Sequence, residues 1–335
     1  MRRVTSLCSQ CYAQVPAALS YEAGAVMLTK ECPTHGRSEV LIDPDTAAFQ
    51  EMYARFVMDD PLYTMTTTGA TILNTTDRCN LRCRNCYHPV DNVARDPGID
   101  VLVAQAELAS QAAIILMGAE PTMRPDLLEL IARIRGATGK PVLIYTNGVR
   151  LADPEYVRGL TAAGLSGVCV SLHTRSYSGP EIYEKKKAAL RVIADTGLPV
   201  HHIAFTLSGF DEMLQVAQDM KEFWDLPHHF RLRCPSPIGR HEWPIYPSEF
   251  YLGVLRGFCE VGWSDINIRP GDNTPYHVNL DVHGRHVRVV RWPSVEEVIL
   301  DDLGPAPTMM LPDGRELNFV HAALLQARDR KTKQL

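Results

Sequence analysis

The 335-residue chain has no uninterrupted apolar run approaching the roughly 18 residues that cross a membrane, which excludes a spanning helix. It has no surplus of positive charge. Its 34 Lys and Arg stand against 39 Asp and Glu, a net charge of −5, so no overall basic surface exists to hold nucleic acid. Met1-Arg2-Arg3 is basic, but Cys8, Ser9 and Gln10 follow where a signal peptide needs an apolar stretch. A cytoplasmic protein with no membrane span and no nucleic-acid partner is expected. Internal repeats and long low-complexity segments are also missing, and 45% hydrophobic with 22% charged residues is ordinary globular composition.

Length predicts two domains, or one large α/β domain with appendages. Nine cysteines are present, an odd number: Cys8, Cys11 and Cys32; Cys79, Cys83 and Cys86; then the scattered Cys169, Cys234 and Cys259. Two tight groups in a cytosolic chain point to metal and not to disulfides.

The segment from Cys8 to Asp43 reads as a small module on a hairpin, Leu19–Tyr21 and Ala25–Thr29 around a turn at Glu22-Ala23-Gly24. Asp45 to Phe56 reads as a helix with Asp45 as its N-cap, broken by Asp59-Asp60-Pro61, and Thr64 to Thr68 as a polar linker. Six apolar runs then alternate with five helical patterns: strands at 71–73, 113–117, 142–145, 168–172, 202–207 and 230–233, helices at 101–111, 125–137, 153–163, 181–196 and 211–224. This is a parallel βα succession, a doubly wound sheet or a barrel; the count alone does not choose. A helix over 246–261, a hairpin over 277–290 and a closing helix over 318–331 complete an α+β extension. The boundaries are 1–66, a metal-binding module with its linker; 67–240, the core; and 241–335, an extension that caps the substrate.

Cys79-Asn80-Leu81-Arg82-Cys83-Arg84-Asn85-Cys86-Tyr87 is a C-x3-C-x2-C group soon after the first core strand. Three close thiolates can hold three irons of a [4Fe-4S] cluster, and with no fourth Cys nearby one iron is left open to an outside ligand. A zinc site needs a clear fourth ligand, and His88 is too close to Cys86 to be an attractive one. Cys8-x2-Cys11 followed by Cys32-Pro33-Thr34-His35 supplies a second set, C-x2-C-x20-C-x2-H, which suits a tetrahedral Cys3His ion, zinc or a rubredoxin-like mononuclear iron.

The first group resembles the hallmark of the radical S-adenosylmethionine (SAM) superfamily. The resemblance implies a partial (β/α)6 TIM-type barrel, SAM chelated to the open iron, reductive cleavage to a 5′-deoxyadenosyl radical, and hydrogen abstraction from a substrate. It implies an electron donor such as flavodoxin or ferredoxin. Met117-Gly118-Ala119-Glu120-Pro121 is similar to the family's G-G-E-P segment with Ala119 in place of the second glycine. Asn147, in Tyr145-Thr146-Asn147-Gly148, and Ser171, in Ser171-Leu172-His173, lie where the family contacts SAM, with His173 where an acid is usual. Tyr87 matches an aromatic position near the adenine, and Arg231 or Arg233, which share a facing parity, can pair with the SAM carboxylate.

The N-terminal motif followed by this core resembles the subgroup of archaeal tetraether lipid synthases and a methanogen pterin methyltransferase. Their additional clusters are not expected, because no cysteine array follows residue 240. The expected substrate is a small molecule, lipid-like or heterocyclic; modification of a peptide, or a non-catalytic iron-sulfur and zinc protein, are the alternatives. Cys234, at a strand's carboxyl end, and His173 are the candidate catalytic groups. The aromatics of the extension, among them Trp243, Tyr251, Trp263 and Tyr276, are expected mostly to fill a core. Of His201-His202 and His228-His229, at most one of each pair should face the site.

Overall fold

Alternating burial builds the N-terminal module. Strands β1 (Arg2–Leu7), β2 (Gln14–Glu22), β3 (Ala25–Cys32) and β4 (Gly36–Asp43) form a four-stranded antiparallel sheet in sequence order. Ala23 and Gly24 both take positive φ, the two-residue turn whose twist suits a hairpin. Helix α1 (Thr46–Phe56) follows, and the Asp45 carboxylate accepts from the Ala48 amide at 2.9 Å, as its N-cap position predicts. The computed structural model describes residues 1–56, 69–83, 86, 88, 90–237, 245–269, 276–303 and 307–334, with the side chains of 53–56 and 330–334 left aside. Residues 59–68, with their breaker, linker and boundary, lie outside this set, as do Tyr87 and Trp243.

The core alternates as its apolar runs predict. In order come β5 (Ala70–Asn74), α2 (Ile99–Leu108), β6 (Ala113–Met117), α3 (Leu127–Thr138), β7 (Val142–Thr146), α4 (Pro154–Ala162), β8 (Gly167–Ser171), α5 (Arg175–Ser178), α6 (Pro180–Thr196), β9 (Val200–Thr206), α7 (Met213–Glu222) and β10 (Pro227–Arg233). The six strands are parallel neighbours in sequence order. After them come α8 (Pro247–Glu260), β11 (Ile266–Ile268), β12 (His277–Val282), β13 (Arg285–Val290), β14 (Thr308–Met310), β15 (Glu316–Asn318) and α9 (Phe319–Gln334). The extension joins the core sheet at both edges: β13 lies parallel to β10, and β14 parallel to β5. Among the described residues the result is an open, eleven-stranded sheet around a half-barrel, with no pairing between its edge strands β11 and β15.

Strand periodicity splits the side chains between two faces. One face packs Ile144, Val170, Phe205, Phe230 and Val287 with the helices in the main core. On the other, Ile72, Ile115, Met117 and Leu143 pack with Phe319 and Ala322 of α9. This concave face is therefore apolar and covered from β5 to β7. From β8 to β13 it carries Cys169, Ser171, His202, Ala204, Thr206, His229, Arg231, Arg233, His286 and Arg288.

The N-terminal sheet buries its apolar side against the extension. Val4, Leu19 and Leu28 share a cluster with Tyr276, Val298, Ile299 and Leu324. Buried Lys30 donates to the carbonyls of Leu7 and Val295 at 2.8 and 3.0 Å, and Asp43 accepts from the amide and hydroxyl of Ser248 at 2.8 and 2.7 Å. Tyr251, Trp263 and Tyr276 are buried core residues, with Trp263 stacked on Phe258 at 5.3 Å.

Candidate active site and metal centre

Strands β5 to β10 run parallel, so their carboxyl ends share one mouth, where half-barrels hold their chemistry. Cys79 follows β5, and its amide donates to the Asn92 side chain at 2.9 Å. Its thiol accepts from the Leu81 amide at 3.3 Å. The Cys86 amide donates to the Cys83 carbonyl at 3.3 Å, so the three cysteines sit on one tight loop. Burial pushes the Cys79 thiol up to about 11, reinforced by Glu120, Cys83 and Cys86, and burial raises Cys83 as well, opposed by Lys186 and Arg233. Thiols crowded this way ionise only with strong positive charge beside them, which iron supplies. The donor set therefore fits an iron-sulfur cluster. His88 Nε2 instead pairs with Asp77 at 2.7 Å.

The G-x-E-P segment closes β6 against the start of this loop. Gly118 has φ +142°, and a Cβ there would lie 2.3 Å from the Thr76 carbonyl oxygen, so only glycine fits. The Ala119 amide donates to that same carbonyl at 2.8 Å, and Glu120 N donates to Arg78 O at 3.0 Å. Ala119 is thus compatible with the turn. Glu120 is buried and its carboxylate is consumed internally: Oε1 accepts from Thr122 N, Thr122 Oγ1 and Thr146 Oγ1 at 3.1, 2.7 and 2.8 Å, and Oε2 from Asn147 N at 2.6 Å. Its side chain braces two strand ends. Asn147 in turn donates to Asn80 at 2.7 Å and approaches the Cys79 thiol at 3.9 Å.

Opposite the cluster loop stand His173, Lys186 and Arg233. His173, with φ +58°, accepts from the Thr206 amide on Nδ1 at 3.1 Å, which leaves Nε2–H as its donor. Burial, with Lys186 and Arg233 nearby, holds it well below the usual imidazole range, so it is neutral. Arg233 Nε donates to Thr206 Oγ1 at 2.8 Å. Lys186, on α6, is fully buried, with its ammonium 3.3 Å from the Leu172 carbonyl and 3.3 Å from Ser178 Oγ. Burial brings it down to about 8, while Cys83, Glu120 and Cys79 pull the other way. Lys186 is not legible as a site residue in the sequence, because it sits in the run Glu184-Lys185-Lys186-Lys187, which reads as a solvated face. Only its place on the α6 stripe with Tyr183, Ala189 and Leu190 marks it as buried.

The structure does not bring Cys234 to this group. It is buried in the main core, and its thiol, raised to about 11 by burial, has Arg291 and Glu297 as its charged neighbours.

The N-terminal cysteines converge fully. Cys8 Sγ and Cys32 Sγ each lie 3.5 Å from His35 Nδ1, and Cys11 Sγ lies 3.9 Å from Cys32 Sγ. All four donor atoms fall within 4.8 Å of one another. Burial raises the Cys32 thiol, but the Thr34 and His35 amides and the His35 side chain outweigh it and bring it down to about 6. Three thiols and an imidazole at these distances fit one tetrahedral ion.

Comparison with known proteins agrees with both centres. Residues 73–223 match the radical SAM superfamily, and residues 1–44 match the HMPTM N-terminal zinc ribbon domain. The 7,8-dihydro-6-hydroxymethylpterin dimethyltransferase of Methanocaldococcus jannaschii is 26% identical over 196 residues, 50% of this chain and 38% of that protein. A GTP 3′,8-cyclase of Pelotomaculum thermopropionicum is 34% identical over 182 residues, 50% and 55% of the two chains. An AdoMet-dependent heme synthase of Methanosarcina barkeri is 28% identical over 198 residues, 55% of each. The chain thus spans about half the length, or less, of these curated relatives. Streptococcus suis SuiB bound to its precursor peptide SuiA superimposes with a TM-score of 0.54 at 10% identity, over 96% of this chain and 84% of that one, a likeness of fold alone. The chain carries a radical SAM domain and an N-terminal zinc ribbon. Among the described residues, no helix is long and apolar enough to cross a membrane.

Proposed function

We propose that this radical SAM protein cleaves SAM reductively at the mouth of the half-barrel and abstracts hydrogen from a small organic substrate, a heterocycle in preference to a lipid. The observation that carries this reading is the C-x3-C-x2-C loop held against the turn after β6, where Ala119 N donates to Thr76 O at 2.8 Å and Glu120 N to Arg78 O at 3.0 Å. A [4Fe-4S] cluster, when bound, supplies the electron for SAM cleavage and the open iron that holds SAM.

Cys79, Cys83 and Cys86 hold the cluster. The Gly118-Ala119-Glu120 backbone forms the ledge for the amino end of SAM, and the Glu120 carboxylate keeps that ledge in register with Asn147. Lys186 and Arg233 offer charge to a carboxylate across the mouth. Neutral His173 and Ser171 present hydrogen-bond donors beside them, and Tyr87 is assigned to the adenine. Cys8, Cys11, Cys32 and His35 hold a structural zinc. The heterocyclic preference draws on the pterin, GTP and haem in the names of the three relatives. All nine cysteines are free thiols, which suits the cytoplasm, where a flavodoxin or ferredoxin can deliver the electron.

The test is anaerobic reconstitution with iron and sulfide, addition of SAM and dithionite, and detection of 5′-deoxyadenosine by mass spectrometry. Product from the wild type and none from Cys83→Ala is expected. A fully loaded cluster that gives no more product than the variant, with and without candidate heterocycles, overturns the reading.

A further inference from the structure

Strand β9 changes face part-way along its length. Its register to β8 runs from Val168 with Val200 straight to Cys169 with His202, so β9 takes two steps where β8 takes one, a bulge at His201. Val200, Ile203 and Phe205 all pack in the main core, and the odd step from 200 to 203 needs such an insertion. Uninterrupted alternation from Val200 would turn His202, Ala204 and Thr206 to the helices, and Ile203 and Phe205 to the concave face. The bulge therefore delivers His202 to the interior of the half-barrel. Gly167 on β8 makes room for it, because a Cβ there would lie 2.9 Å from His201 Cδ2 and 2.9 Å from the Pro199 carbonyl oxygen. Inside, His202 meets the rings of Tyr145 and His229 at 5.3 and 5.2 Å.

His202 is only 7% exposed, yet among the described residues neither of its ring nitrogens has a hydrogen-bond partner. Buried Lys30, Asp43, Glu120 and Arg124, by contrast, are all bonded through their charged groups. Buried polar groups are paired as a rule, and bulges that re-aim one side chain gather beside active sites. Burial, reinforced by His229 and Arg231, holds the His202 ring neutral, so it carries one N–H and one free lone pair. Arg231 and Arg233 share this face, and guanidinium groups donate without accepting. A ligand's carbonyl oxygens thus suit the arginines, while its N–H groups need an imidazole.

We propose that His202 is a substrate-contacting residue that accepts a hydrogen bond from a ring N–H of an uncharged heterocycle inside the half-barrel, and so anchors the substrate at its end remote from the cluster. This deepens the heterocyclic reading given above and rests on it. The bulge and Gly167 are the positioning devices, since they decide which face His202 occupies.

The test is calorimetric titration of the full chain with hypoxanthine and theophylline, each of which has a ring N–H, and with caffeine, which is theophylline with that N–H methylated. Saturable binding of the first two and none of caffeine is expected. His202→Phe keeps the ring packing and is expected to weaken binding about tenfold, the worth of one buried hydrogen bond, and His202→Gln, which keeps an acceptor, to restore most of it. On the unmutated chain, a histidine ring 15N signal is expected to shift with theophylline and not with caffeine, an observation that stands even where His202→Phe fails to fold. Cys83→Ala is expected to bind theophylline as the wild type does, so loss of SAM cleavage and loss of this contact are separate results. No saturable binding of either N–H purine at millimolar concentration, equal binding of caffeine, histidine ring signals that theophylline leaves in place, or undiminished binding by a folded His202→Phe overturns the proposal.

Discussion

Glu120 Oε2 lies 2.6 Å from the backbone nitrogen of Asn147, so the turn after β6 and the turn after β7 move as one piece. Asn147 passes that constraint on to Asn80, inside the cluster loop. The thiol loop is therefore anchored to the barrel through a chain of three side chains.

Every partner of the Glu120 carboxylate named above is a donor, so Glu120→Gln turns an amide N–H2 against another donor. The expected loss is about 2 kcal/mol of stability, measured as a shift in the urea midpoint, because one buried donor is left unsatisfied. An unchanged midpoint would contradict this set of four accepted hydrogen bonds.

Gly118→Ala places a methyl group 2.3 Å from the Thr76 carbonyl oxygen at φ +142°. The variant is expected to lose about 1–3 kcal/mol or more and to bind less iron on reconstitution, because Thr76 leads into the cluster loop. Full iron content together with wild-type stability contradicts the close approach.

Cys32→Ser removes one of four converging ligands. Metal analysis of the purified variant should show one fewer ion per chain, and amide exchange should accelerate at Leu19 and Leu28, which the N-terminal sheet buries. If the ion is retained in full, Cys32 is not a ligand.

Lys186 titrates at about 8 in the folded chain against an ordinary value of 10.5. Below about pH 8 both folded and unfolded chains carry the proton, and the full burial cost applies. Between about 8 and 10.5 the unfolded chain binds more protons, so folding stability gains with pH. In cluster-free protein, Lys186→Met should therefore be the more stable at neutral pH, by on the order of 3 kcal/mol from the shift alone, with the advantage vanishing towards pH 10.5. An advantage that does not change with pH refutes this assignment. Titrating both proteins with urea across this range cancels the contribution of Lys30, which is also near 8.

Much of this architecture is legible in the sequence because the signals are local. The run Ala113-Ile114-Ile115-Leu116-Met117 is a buried strand at the same bounds in sequence and structure, and Cys8, Cys11, Cys32 and His35 announce a tetrahedral set by spacing alone. Other parts depend on contacts made far away in the chain. Strand β1 begins Arg2-Arg3 and β4 begins Gly36-Arg37-Ser38-Glu39, without apolar alternation, so pairing with β2 and β3 is what makes them strands. Strands β14 and β15 are three residues each, too short for any period to show. Cys234 misleads because chain position places it at a strand end, whereas the core decides which way it faces. Glu120 sits in the motif that the sequence assigns to SAM, yet its carboxylate serves the protein itself.

The attachment of the zinc ribbon has a kinetic meaning. Its four converging donor groups lie between Cys8 and His35, so short loops bring them together early. Its docking is not local: Arg2 pairs with Asp302, and Ser6 Oγ donates to the Val298 carbonyl at 2.6 Å, contacts separated by 300 and 292 residues. Contacts of such separation form slowly and late. During synthesis the ribbon is made before the half-barrel and must wait, its Val4, Leu19 and Leu28 side uncovered, until the segment around Val298 leaves the ribosome. Pulse-labelled hydrogen exchange during refolding should show protection at Cys8 and Cys32 well before protection at Ser6 and Ile299, and simultaneous protection would refute this order. Final docking of the ribbon thus reports that synthesis has passed β13, the strand that joins β10.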